Sequence, residues 1–345
     1  MTRPEVALAG SSRGSGPLLQ VRDLQVRFTR RGRPPVRAVD GVSFDVAPGQ
    51  VVGLVGESGC GKSVTSLAIM GLLPGRGVEV GGEVLFDGSD LLTMSKDGLR
   101  GLRGRDVAMV FQDPMTSLNP VVPVGTQVTE VLRRHTDLDR EQSRAEAEQL
   151  LRRVGIPDPS RRLKEYPHQL SGGMRQRALI AMSLACKPRL LICDEPTTAL
   201  DVTIQAQVLE LLKQLVHETG TAMIMITHDP GVVAGICDEV NVMYAGRVVE
   251  RAGRRELFAS PRHQYTAGLL RSIPRLDAVK GGRLTPIPGS ASDTLPWDRG
   301  CAFAPRCPAR AQDCLVPDLE LTVDDERPHH RLRCVHPVPP GGGDA

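Results

Sequence analysis

Gly56-Glu57-Ser58-Gly59-Cys60-Gly61-Lys62-Ser63 fills the pattern G-x-x-x-x-G-K-S/T, and the residues on either side give it meaning. Before it, Val51-Val52-Gly53-Leu54-Val55 is an uncharged, valine-rich run that predicts a buried strand. After it, residues 62–70 predict a helix. Gly56, Gly59 and Gly61 let the backbone bend tightly and aim successive N–H groups at a β-phosphate. The helix offers its positive end to the same anion. Lys62 is expected to reach the β- and γ-phosphates, and Ser63 to hold Mg²⁺. A glycine-rich turn with a chance lysine would lack the flanking strand and helix. Alone, the loop specifies a nucleoside triphosphate and nothing narrower.

Further along, Leu190-Leu191-Ile192-Cys193-Asp194-Glu195 ends at Pro196. Four apolar residues followed by two carboxylates suit a central parallel strand, whose C-terminal edge is where open α/β sheets bind ligands. Asp194 is expected to act through Mg²⁺ and its waters, and Glu195 to polarise the attacking water as a general base. The bland alternative is that the two acids cap the next helix. Thr197 and Thr198 are better placed for that, and adjacent acids repel without a cation. Upstream, Leu170-Ser171-Gly172-Gly173 precedes residues 174–186, which mix apolar and basic positions and predict a helix. Its start is a second anion site, made of a serine hydroxyl, two flexible backbone amides and a helix dipole.

In this order the motifs resemble those of ATP-binding-cassette (ABC) subunits. Gln112, after Val107-Ala108-Met109-Val110-Phe111, matches the Q-loop glutamine, and Leu170 to Gly173 match the signature. Ala199-Leu200-Asp201 match the D-loop. His228, after Met223-Ile224-Met225-Ile226-Thr227, matches the switch histidine that contacts the γ-phosphate. Read singly, Gln112 is a polar strand end and His228 a capping histidine. The resemblance implies an α/β P-loop cassette with a RecA-like core, an antiparallel β-lobe and a helical subdomain. It implies ATP hydrolysis, with Glu195, His228 and Gln112 catalytic and with Ser63, Gln112 and Asp194 around Mg²⁺. ATP would lie against Phe28, Gly56, Ser58, Gly59, Cys60, Gly61, Lys62, Ser63, Val64, Gln112 and Asp194. Phe28 matches the aromatic that stacks on adenine, with a core position as its other reading. Ser171, Gly172, Gly173 and Asp201 would serve the sandwich, in which the signature closes on ATP held by a partner's phosphate loop.

Narrower features resemble the oligopeptide/dipeptide/nickel importer ATPases. They are Asp113-Pro114-Met115-Thr116-Ser117-Leu118-Asn119-Pro120, Tyr166-Pro167-His168-Gln169-Leu170, and the stretch from His263 to Pro274. This resemblance implies a peripheral ATPase on the cytoplasmic face of the inner membrane. Its partners would be a second ABC ATPase, two membrane permeases and, indirectly, an extracytoplasmic solute-binding protein. Gly173-Met174-Arg175-Gln176-Arg177 resembles the first of two unlike ATPases, which favours a heterodimer. Di- or oligopeptides, nickel chelates and glutathione all remain open as the solute.

Composition agrees. In 345 residues, 43 basic against 40 acidic side chains give +3, which does not imply nucleic-acid binding. No apolar run reaches membrane-spanning length, and the N-terminus lacks the apolar core of a secretory signal. The other function class, a soluble ABC ATPase acting on nucleic acid or ribosomes, usually carries two cassettes or a long coiled coil, and this sequence has no internal repeat. Residues 1–17, rich in Gly, Ser and Arg, are expected to be a disordered tail. Residues 18–260 then form the nucleotide-binding domain, with its helical insert at about 115–185 including an amphipathic helix over 139–154. Residues 261–345 form an extension rich in proline, arginine and cysteine.

In that extension Cys301, Cys307, Cys314 and Cys334 are spaced C-x5-C-x6-C-x19-C. An intracellular nucleotidase has little use for disulfides, so a group of four points to metal. The spacing fits neither paired C-x2-C zinc knuckles nor the common ferredoxin runs. Resemblance of Gly300-Cys301-Ala302-Phe303-Ala304-Pro305-Arg306-Cys307-Pro308 to the importer tail implies a [4Fe–4S] cluster, with zinc as the alternative. Its expected role is to staple a short tail that could bury little core by itself. Cys60, Cys186, Cys193 and Cys237 stand singly and read as small apolar residues.

Overall fold

The computed structural model describes residues 16–198, 200–272, 286–290, 300–315, 319–324 and 327–339. The tail expected over 1–17 lies outside them except for Gly16 and Pro17, as do Ala199 of the D-loop match, Ile273 and Pro274.

The strands are β1 (Leu19–Arg30), β2 (Arg33–Val46), β3 (Val51–Val55), β4 (Val78–Phe86), β5 (Ser89–Asp90) and β6 (Val107–Val110), then β7 (Leu190–Asp194), β8 (Ala222–Thr227), β9 (Glu239–Tyr244), β10 (Arg247–Gly253), β11 (Thr322–Asp324) and β12 (Arg327–Leu332). A four-stranded antiparallel sheet runs β2-β1-β4-β5. An eight-stranded sheet runs β11-β12-β10-β9-β3-β8-β7-β6, parallel from β9 through β6. This is the α/β cassette expected from the motifs.

Strand periodicity divides the interior into two cores. Val52 and Leu54 face the core shared with the antiparallel sheet, while Val51 and Val55 face the one shared with the helices. Leu190 and Ile192 against Leu191 and Cys193 split likewise, as do Ile224 and Ile226 against Met223 and Met225. With both faces covered, these strands need apolar residues throughout, hence their unbroken runs.

Between β6 and β7 stand the helices Val124–His135, Arg140–Arg153 and Gly172–Leu184. Asp139 and Gln142 close a capping box on the second, which buries Ala147, Leu150 and Leu151. The third begins at Gly172, two residues before its apolar pattern, because Ser171 caps it by accepting from Met174 N–H at 3.3 Å. Thr197 and Thr198 do not cap a helix as expected. The next one, Val202–Thr219, starts after Asp201, whose carboxylate accepts from Ile204 N–H at 3.0 Å.

The extension is built into the cassette instead of hanging from it. β12 continues the central sheet by pairing Leu332 and Arg331 with Glu250 and Arg251 of β10. Phe303 and Ala302 join the helix-side core. The expected tail with little core of its own thus shares the core of the domain before it. Among the described residues no helix is long and apolar enough to cross a membrane.

Candidate active site

The C-terminal ends of β3, β6, β7 and β8 open on one edge of the sheet, and nearly all the expected ATP residues meet there. The loop after β3 is shaped by backbone approach. A Cβ on Gly56 would stand 2.2 Å from the Met243 carbonyl oxygen, and one on Gly61 would stand 2.3 Å from that of Ala38. Gly61 also has φ 103°, which side chains rarely adopt. Helix Lys62–Ile69 follows with neither a side-chain cap nor an acid in its first turn, so its N–H groups are available to an anion. Ser58 and Gly59 are exposed at the tip, while Val64 is half-buried against the core. Lys62 is buried, its Nζ donating to the carbonyls of Gly56 at 2.7 Å and Glu57 at 3.0 Å. It also lies 3.7 Å from Cys60 Sγ, and burial pushes that thiol's pKa up.

Across the loop, Ser63 Oγ donates to Asp194 Oδ1 at 2.9 Å. Burial pushes the Asp194 carboxyl above the usual carboxylate range, and the Glu195 charge adds to it against the Ser63 hydrogen bond and Lys62. A carboxylate so placed gains from a cation beside it.

Glu195 is the convergence point. Its Oε2 accepts from Gln112 Nε2 at 3.0 Å and Thr198 Oγ1 at 3.0 Å, and lies 3.2 Å from His228 Nδ1. Its φ is 47°, a left-handed conformation worth about 1–3 kcal/mol of strain in a non-glycine residue. Glu195 N–H donates to the Ile226 carbonyl at 2.9 Å, tying that turn to β8. His228 is more than half exposed, so it can swing toward a ligand above the sheet edge. Thr198 was missed from sequence, where it looked like a cap; only the turn after Pro196 brings it back onto Glu195.

Not all the expected residues converge. Ser171 and Gly172 are exposed at the start of helix Gly172–Leu184, and Gly172 faces Leu200. Among the described residues no hydrogen bond joins Ser171, Gly172 or Gly173 to the phosphate loop. Asp201 caps its own helix. Phe28 is half-buried in β1 opposite Val36 and Val78 and packs on the core beneath, so part of its ring serves the core reading.

The family model described as "ABC transporter" matches residues 39–198, and "Oligopeptide/dipeptide transporter, C-terminal region" matches 249–314. The "Dipeptide transport ATP-binding protein DppD" of Bacillus subtilis is 54% identical over 320 residues, covering 92% of this chain and 94% of the relative. The chain belongs to the ABC transporter ATPases. A second relative of this ABC ATPase, "Probable peptide ABC transporter ATP-binding protein y4tR" of Sinorhizobium fredii, is 53% identical with 92% and 94% covered. Among solved structures, the dimeric post-hydrolysis state of the ATP-binding cassette MJ0796 bound to ADP and Pi has a TM-score of 0.62 at 27% identity. It covers 69% of this ABC ATPase and 99% of the cassette.

Proposed function

We propose that this ABC ATPase powers the import of di- or oligopeptides, pairing with a second, unlike ATPase beneath two membrane permeases. An extracytoplasmic binding protein delivers the solute, and the ATPase lies peripherally on the cytoplasmic face of the membrane. The observation that carries the reading is the match to the oligopeptide/dipeptide transporter C-terminal region over residues 249–314, beyond the general ABC transporter match at 39–198. Nickel chelates and glutathione stay in the solute class until transport is assayed.

The residues take these roles. The loop from Gly56 to Val64 wraps the phosphates, Lys62 meets the β- and γ-phosphates, and Phe28 stacks on adenine with its uncovered face. Ser63, Asp194 and Gln112 would hold Mg²⁺, which would supply positive charge against that of the phosphates. Glu195 takes the proton of the attacking water, and His228 turns from Glu195 to the γ-phosphate. Ser171, Gly172, Gly173 and Asp201 act across the sandwich on the partner's ATP, in keeping with the local capping bonds of Ser171 and Asp201, neither of which involves their own phosphate loop.

Cys301, Cys307, Cys314 and Cys334 would hold a [4Fe–4S] cluster. All four are free of disulfides. Cys301 N–H donates to the Cys314 carbonyl at 2.8 Å, and Ala311 N–H points at Cys314 Sγ at 3.5 Å. Burial above all, with a smaller contribution from the neighbouring cysteines, pushes Cys301 up to about 11 and Cys334 up to about 12. Thiols that penalise one another's ionisation inside a packed site suit a soft metal group, whose binding releases their protons. The same corner offers nitrogen and oxygen donors, since ligand atoms of Asp313, Cys314 and His336 lie within 4.8 Å of one another. Zinc is therefore the competing occupant.

One preparation tests both readings. Tagged protein purified anaerobically from membranes should bring down a second ATPase and two permeases, and be brown with about four irons per chain. Recovery from the cytosol bound to RNA or ribosomes would contradict the transport reading. Colourless protein with stoichiometric zinc would contradict the cluster.

A further inference from the structure

Glu57 fills a position of the phosphate-loop pattern that admits any residue, yet its polar groups are fully engaged. Its N–H donates to Tyr265 Oη at 2.8 Å. Its carbonyl accepts from Lys62 Nζ at 3.0 Å and from Cys60 N–H at 3.3 Å. Its carboxylate receives both arms of Arg306, Nη1 to Oε2 at 2.6 Å and Nη2 to Oε1 at 2.9 Å. Arg306 belongs to the cysteine-bearing extension and directly precedes Cys307.

The arginine is itself held rigidly. Its side chain is 4% exposed. Nε donates to the Pro288 carbonyl at 2.7 Å, Nη2 to that of Gly289 at 3.2 Å and Nη1 to Tyr244 Oη at 3.2 Å. The guanidinium stands 5.7 Å from the Tyr244 ring centroid and 5.9 Å from that of Phe303. Tyr244 and Tyr265 are fully buried and meet edge to face at 4.7 Å. Tyr244 ends β9, which pairs directly with β3, the strand that leads into the loop.

We propose that Arg306 is a positioning residue for ATP, acting through Glu57 to fix the phosphate loop and the carbonyls on which Lys62 rests. Two parallel bonds from a planar fork set the direction of the Glu57 carboxylate as well as its distance, which an ammonium cannot do. Tyr265 and Arg306 grip Glu57 at its backbone and its side chain, so the loop keeps its shape while Lys62 exchanges carbonyls for phosphate. The extension thereby acts on the nucleotide site of its own chain. The inference rests on the assignment of that site as an ATPase centre.

Steady-state ATPase of the full complex, with KM and kcat separated, tests it. Arg306→Ala should raise KM for ATP by about tenfold and change kcat less than about twofold, as expected when binding geometry is lost and the reacting groups are untouched. Arg306→Lys should recover part of the loss. Glu57→Gln should raise KM similarly, and the double variant should add little, because the two residues act as one unit. Iron and zinc content should stay at the wild-type level, which separates positioning from collapse of the cysteine site. If Arg306→Ala does not fold, Glu57→Gln at the more exposed end of the pair carries the test. An unchanged KM in folded Arg306→Ala or in Glu57→Gln, or fully additive effects, would overturn the proposal. Lys62→Ala is the control: if it binds ATP as tightly as wild type, the nucleotide-site assignment fails; if it does not and Arg306→Ala does, only this inference fails.

Discussion

Replacing Glu195 with Gln is expected to leave ATP binding intact and to cut turnover in the assembled complex by roughly 10²–10⁴-fold, the usual worth of a positioned general base. The substitution keeps the size of the side chain and an oxygen for Gln112 Nε2 and Thr198 Oγ1, which now meet at Glu195 Oε2. It removes the carboxylate proposed to take a proton from the attacking water. Because product is not formed, the closed sandwich should accumulate and be visible as a stable ATP-bound dimer. Steady-state hydrolysis alongside filter binding of ATP measures both halves. Turnover at the wild-type rate would remove Glu195 from the chemistry.

Gly172→Asp is expected to spare the isolated chain and disable the complex. A Cβ at Gly172 would meet Leu200 Cδ2 at 3.9 Å, an ordinary contact, whereas one at Gly173 would meet Ile204 Cγ2 at 2.8 Å. Packing within the chain therefore explains Gly173 but gives no reason for a glycine at 172. An aspartate in the first turn of helix Gly172–Leu184 is electrostatically welcome there. Thermal stability and ATP affinity of the purified subunit should thus stay near wild type. In the sandwich the new carboxylate would face the γ-phosphate of the partner's ATP, where lost oxyanion-type stabilisation costs roughly 10²–10³ in turnover. An equal loss of ATP binding by the isolated chain would put Gly172 in its own nucleotide site and contradict the two-chain arrangement.

The parts of the fold legible in the sequence were those whose chemistry leaves few choices. β3, β7 and β8 are buried on both faces, so their apolar runs announce them, and the loop after β3 needs its glycines because Met243 and Ala38 carbonyls press on it. The junction of the extension with the cassette was not legible. β12 reads Arg-Pro-His-His-Arg-Leu, with one aliphatic residue, and no alternation marks it as a strand. What draws it in is long-range: His330 Nε2 lies 2.6 Å from Glu250 Oε1, both fully buried, where each polar group would be costly without the other. Helix Gly172–Leu184 was expected to start two residues later because glycine is a poor helix former, and Ser171 capping overrides that preference. Glu57 was invisible for a different reason. The phosphate-loop pattern constrains only its glycines, lysine and serine, while the partner of Glu57 lies 249 residues away.

The most direct measurement is uptake of a labelled dipeptide into proteoliposomes holding the complete complex and its binding protein, with ATP on the side of this subunit. The expected result is accumulation that requires ATP, stops in Glu195→Gln and is accompanied by ATP turnover that the loaded binding protein stimulates. ATP hydrolysis with no peptide uptake, or uptake indifferent to Glu195→Gln, would contradict it.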